Sequence, residues 1–132
     1  MRARFGCVAA ALVVTLGCGG ENGGTPPQVR GDLTLSYVGG GNDVGAVLLT
    51  ISGGEVEAVA AIPAAVTVSF ATSSPGVTHL VVSGRLASGD LLQIRVPDVN
   101  AVEGYVVRID QVAHAETFAL LDPTTSSFTI RR

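Results

Sequence analysis

The stretch GVTHLVVSGRLASGDLLQIRVPD, residues 76–98, decides the fold. Residues 78–83 are apolar and β-branched, and residues 91–96 alternate apolar with polar. GRLASGD between them is full of turn formers. The stretch predicts two strands folded back on each other, near the middle of whatever sheet the chain builds.

Working outward, DLTLSYV (residues 32–38) sends Leu33, Leu35 and Tyr37 to one face and Asp32, Thr34 and Ser36 to the other. GAVLLTIS (residues 45–52) is apolar on both faces at its centre, as an interior strand is. Gly53-Gly54 is a tight-hairpin signal, with the chain returning along residues 55–62. EAVAAIPAA tolerates a helix by its alanines, but Pro63 argues against one. The expectation there is a strand, a kink, and a strand over residues 65–72 with Val66, Val68 and Phe70 on one face. A loop follows at Ser73-Ser74-Pro75-Gly76, and another over residues 100–104. In YVVRIDQVA, Tyr105, Val107, Ile109 and Gln111 alternate with Val106, Arg108, Asp110 and Val112. Short segments at residues 117–121 and 128–131 flank a turn at Asp122-Pro123. Eight or so strands spaced roughly ten residues apart predict an all-β antiparallel sandwich, with a small barrel as the alternative.

A chain of 132 residues is one domain's worth, and 47% hydrophobic with 14% charged is too apolar for disorder. A net charge of −3 argues against general nucleic-acid binding, which needs a basic face. Both cysteines, Cys7 and Cys18, fall near the start.

Arg2 and Arg4 precede an apolar run over residues 5–16, FGCVAAALVVTL. A membrane-spanning helix needs about 20 residues, whereas a signal-peptide core takes roughly 7–15. The run ends at Gly17-Cys18 and a Gly/Asn-rich stretch, and so resembles the lipobox of bacterial lipoproteins. The resemblance implies lipidation of Cys18, a signal over residues 1–18 and a Gly/Pro-rich tether over residues 19–31. The domain over residues 32–132 then lies in the cell envelope, held to the membrane by lipid. Ordinary secretion, with Cys18 incidental, is the alternative. Beyond Cys18 six arginines face eleven acids, a balance of −5, and no cysteine remains for a disulfide or a thiolate site.

GAVLLTISGG (residues 45–54) followed by HLVVSGRLASGDLLQIRVPD (residues 79–98) is similar to the cohesin-like group of bacterial extracellular β-sandwiches. The similarity covers about half the domain. It implies a nine-stranded jelly-roll-like sandwich used for protein–protein or carbohydrate attachment, and it transfers no binding residue.

Chemistry-bearing residues are sparse. His79 lies within a strand, and His114 precedes Glu116 by two residues without a third ligand nearby. There is no G-x-S-x-G, P-loop or dinucleotide fingerprint. Asp98, Asn100 and Glu103 offer oxygens for calcium, with Asn42-Asp43 weaker, but turn formation explains them first. The expectation is a non-enzymatic, envelope-anchored binding or scaffold module without cofactor, nucleic-acid partner or catalytic residue. A small envelope enzyme using loop carboxylates, or a structural subunit of an envelope assembly, is the alternative.

Overall fold

A computed structural model of the chain describes residues 23–39, 41 and 43–132. The signal segment, Cys18 and Asn42 lie outside the described residues. The strands are β1 (Gly31–Val38), β2 (Val44–Ser52), β3 (Ala58–Ala61), β4 (Val66–Ser74), β5 (Val77–Gly84), β6 (Gly89–Val96), β7 (Val106–His114), β8 (Leu120–Leu121) and β9 (Ser127–Arg131). They form two antiparallel sheets, in the order β3-β6-β1-β9 and β4-β5-β2-β7-β8. The fold is an all-β sandwich.

Alternation puts the core between the sheets. Leu33, Leu35 and Tyr37 of β1 and Leu92, Ile94 and Val96 of β6 meet Val47, Leu49 and Ile51 of β2 and Leu80 and Val82 of β5. A bulge where β1 meets β6 buries Leu91 beside Leu92. Tyr37 is buried with its hydroxyl 2.9 Å from Ser126 Oγ and its ring 5.1 Å from that of Phe128.

The hairpin expected over residues 76–98 does not form. Both strands are present, but β5 pairs with β4 and β2, whereas β6 pairs with β1 and β3 in the opposite sheet. Each is an interior strand and needs two neighbours. The connection between them crosses the end of the core and buries Leu86 there, which a solvent-facing turn would not do.

Gly53-Gly54 is likewise a crossing and not a hairpin. Gly53 has φ +96°, and a Cβ on it would meet the Gly104 carbonyl oxygen. A Cβ on Gly54 would meet the Tyr105 ring. The two glycines let the chain press against Gly104–Tyr105 as it leaves one sheet for the other. The Tyr105 hydroxyl holds the crossing by donating to the Glu55 carbonyl at 2.9 Å. The tight hairpin lies instead at Pro75-Gly76, between β4 and β5, with Gly76 at φ +72°.

Smaller differences follow from capping. Residues 99–104 form a 3-10 helix rather than an open loop, because Asp98 accepts from the Asn100 N–H at its start. The segment expected over residues 117–121 pairs only at Leu120–Leu121. Among the described residues no helix is long and apolar enough to cross a membrane.

Candidate functional site

The two outer faces differ in chemistry. On the four-stranded sheet, Arg95 makes a bidentate pair with Asp32 at 2.9 and 3.0 Å, Arg131 meets Asp90 at 2.6 Å, and Arg30 meets Glu57 at 2.7 Å. Arg95 holds the Asp32 carboxyl below its usual range, and Ser36 with Arg131 does the same for Asp90. Beside these pairs lies a shallow cleft of about 210 Å³ lined by Asp32, Ala58, Val59, Ala60, Gln93 and Arg95.

The outer face of the five-stranded sheet reads row by row from the register. Val81, Leu48 and Gln111 are neighbours across β5, β2 and β7, and Ser83, Ala46, Ala113 and Leu120 form the next row. Val81 is 48% exposed and Leu120 69%. Together these rows line a shallow apolar cleft of about 250 Å³. The turn from β7 to β8 adds Phe118, exposed and held at φ +57°, a conformation a bulky side chain seldom takes. None of the row positions is aromatic.

The third row is polar. His79, Thr50 and Arg108 are register neighbours, and Asp110 joins them from a bulge on β7 that aims it onto the same face. Thr50 Oγ1 lies 2.5 Å from Asp110 Oδ2 and 2.9 Å from His79 Nδ1, and His79 Nε2 lies 3.0 Å from Ser73 Oγ. Ser73 is itself the bulge residue of β4. The one proton of the Thr50 hydroxyl goes to the carboxylate, the stronger acceptor. In the neutral imidazole, Nδ1–H then donates to Thr50 and Nε2 accepts from Ser73. The bond from Thr50, and then Arg108, keeps the Asp110 carboxyl below its ordinary value.

This arrangement orients a hydroxyl toward an imidazole nitrogen. It differs from a Ser-His-Asp triad in that a threonine stands between imidazole and carboxylate. Ser73 also lines a cleft of about 430 Å³ shared with Glu55, Val56, Pro75 and Thr78. Sequence reasoning placed neither histidine against a serine; the Pro75-Gly76 turn brings Ser73 and His79 together.

The other expected sites have structural partners. Asp98 Oδ1 accepts from the backbone N–H groups of Val29 and Asn100, at 3.1 and 3.0 Å. Asn100 Oδ1 accepts from Arg132, and Glu103 is exposed. His114 Nδ1 accepts from the backbone N–H groups of Glu116 and Thr117, so it caps a turn and does not pair with the Glu116 carboxylate. Among the described residues no three His, Cys, Asp or Glu side chains come together as a metal site.

The chain matches no protein-family model, and neither a curated protein nor a solved structure matches it.

Proposed function

We propose that this chain is a non-enzymatic binding module, tethered by lipid on Cys18 to a bacterial envelope, that engages a protein partner. The engaging surface is the outer face of the five-stranded sheet. The observation that carries this reading is the difference between the faces: three ion pairs lie on one, whereas the other carries exposed Val81 and Leu120 beside half-buried Leu48 and Ala113, with a single ion pair, Arg108–Asp110, in the neighbouring row. Contiguous exposed apolar surface rimmed by polar groups is the mark of an interaction site. A protein partner fits better than a carbohydrate, because sugar stacking uses aromatic platforms, and this face offers one exposed ring, Phe118, at its margin, while its rows are aliphatic. The test is co-purification from envelopes after cross-linking. Val81→Arg and Leu120→Arg should abolish capture of the partner that wild type retains, while Gln93→Arg on the opposite sheet should not. Equal capture by all variants would remove the reading.

A second reading rests on the Ser73–His79–Thr50–Asp110 relay: hydrolysis of a small ester in the cleft beside Ser73. Ser73 Oγ would attack the acyl carbon as its proton passes to His79 Nε2. The leaving alcohol would take that proton, and water would then release the acid. Turnover of p-nitrophenyl acetate that disappears in Ser73→Ala and in His79→Ala would support it. Turnover unchanged in both, or absent from wild type, would eliminate it.

A further inference from the structure

We infer that β4 is a docking edge that pairs with β4 of a second copy of this chain. An edge strand leaves a row of N–H and C=O groups without partners, and proteins blunt such edges with short strands, charge or proline. Among the described residues the two sheets have four edge strands. Strand β3 has four residues, follows Glu55 and Glu57, and stops before Pro63. Strand β8 has two residues between Glu116 and Asp122. Strand β9 has five and runs into Arg131 and Arg132. Strand β4 runs nine residues, VTVSFATSS, with neither charge nor proline, and Thr67 and residues 69–74 are exposed. Its one irregularity, the Ser73 bulge, lies near its end and leaves residues 66–72 in unbroken register with β5.

The occupant follows from the chemistry of the strand. A charged partner strand would find no countercharge on β4. Self-pairing about a two-fold axis perpendicular to the sheet brings no like charges together. It sets outward positions opposite outward ones, so the hydroxyl-bearing and small residues Thr67, Ser69 and Ala71 face residues of the same strand face, and only the residue on the axis faces its own copy. On the inward side it covers Phe70, which faces the core but is 43% exposed at the rim. The contact is isologous and closes as a dimer. The five-stranded sheet becomes one continuous ten-stranded sheet, and the docking edge is distinct from the face proposed above.

Disulfide trapping in native membranes tests this with the full chain. Single cysteines are placed one at a time from Thr67 to Ala71, with Thr129→Cys on β9 as a second-edge control and the unmodified chain as background. Residues directly opposite in an antiparallel pair have Cα atoms about 4.5–5.5 Å apart, within the roughly 4.4–6.8 Å that a disulfide spans. Mild oxidation should give a homodimer at the residue on the two-fold axis, little at its neighbours and none at Thr129. Adding Thr67→Lys, or Ala71→Lys where Thr67 is the trapped position, should reduce the dimer roughly tenfold by charging the edge. No dimer at any of the five positions would overturn the inference. So would equal trapping at Thr129, indifference to the lysine, or an adduct with a different protein in place of the homodimer.

Discussion

Thr50→Val probes the hydroxyl that ties β2 to β5 and β7 on the outer face of the five-stranded sheet. Thr50 is 7% exposed, and its hydroxyl joins Asp110 to His79. Valine keeps the shape and the β-branching, so packing and strand preference are nearly preserved. The loss is two hydrogen bonds. The one to the carboxylate contributes about 1.5–3 kcal/mol and the one to imidazole about 0.5–1.5 kcal/mol. Asp110 keeps Arg108 at 2.8 Å and His79 keeps Ser73, and these remaining partners offset part of the loss. The net expectation at pH 7 is a destabilisation of about 2 kcal/mol, or roughly 1 M urea in the midpoint at an m-value near 2 kcal/mol/M.

The acid limb supplies a sharper test. Asp110 has its native pKa held below that of the unfolded chain, where a free aspartate titrates near 3.9. Its stabilisation is therefore fully present above the unfolded value and is lost as the pH falls through the native one. Thr50→Val removes the largest cause of that depression, so stability should fall less steeply below about pH 4. The wild-type and variant curves should converge in acid. Urea unfolding from pH 7 to pH 2.5 measures both effects. A midpoint at pH 7 within about 0.3 M of wild type, or curves that stay parallel into acid, would refute the contribution assigned to the Thr50 hydroxyl.

Three further outcomes are expected. Gly53→Ala should destabilise by more than the ~1–2 kcal/mol that a side chain in the left-handed region costs, because at φ +96° its Cβ would also meet the Gly104 carbonyl, whereas Gly23→Ala, with nothing within 4 Å, should be silent in thermal melts. Calcium titration should leave the melting temperature unchanged, since Asp98 already accepts two backbone N–H groups; a rise that vanishes in Asp98→Ala would contradict this. Wild-type chain should partition with membranes and into detergent, and Cys18→Ser should release it or leave the signal uncleaved; a soluble wild type whose N-terminus lies beyond Cys18 would replace lipidation with plain secretion.

What was legible in the sequence was parity, and what was not was partnership. Leu33, Leu35 and Tyr37 fall inside because alternation is a property of a single strand. Alternation carries no record of which strand lies alongside, and glycine serves a hairpin and a sheet crossing equally well. Two local signals did bear on pairing. Leu86 is an apolar residue inside a string of turn formers, which marks a connection with something to bury. Pro75-Gly76 carries Pro and Gly at the two central turn positions, a tighter hairpin signature than GRLASGD. The bulges explain the remaining misplacement: Asp110 is the extra residue on β7, so Gln111 turns outward and only then does Val112 return to the core.

The candidate site divides along the same line. Once Pro75-Gly76 is taken as a two-residue turn, Ser73 and His79 lie near each other across a hairpin, and that contact is local. Thr50 and Asp110 reach His79 through β2 and β7, at sequence separations of 29 and 60 from the residues they bond. Only the strand order β5-β2-β7 brings them together. The apolar rows beside them have the same origin. Val81 and Leu120 are unremarkable singly, and each could be an incidental exposed aliphatic. They become a surface because the sheet lays Ala113 against Leu120 and Leu48 against Val81. Both proposed sites therefore depend on one sheet's lateral order. A variant that preserved every strand but exchanged neighbours would lose both the relay and the apolar face while keeping the same hydrophobic pattern.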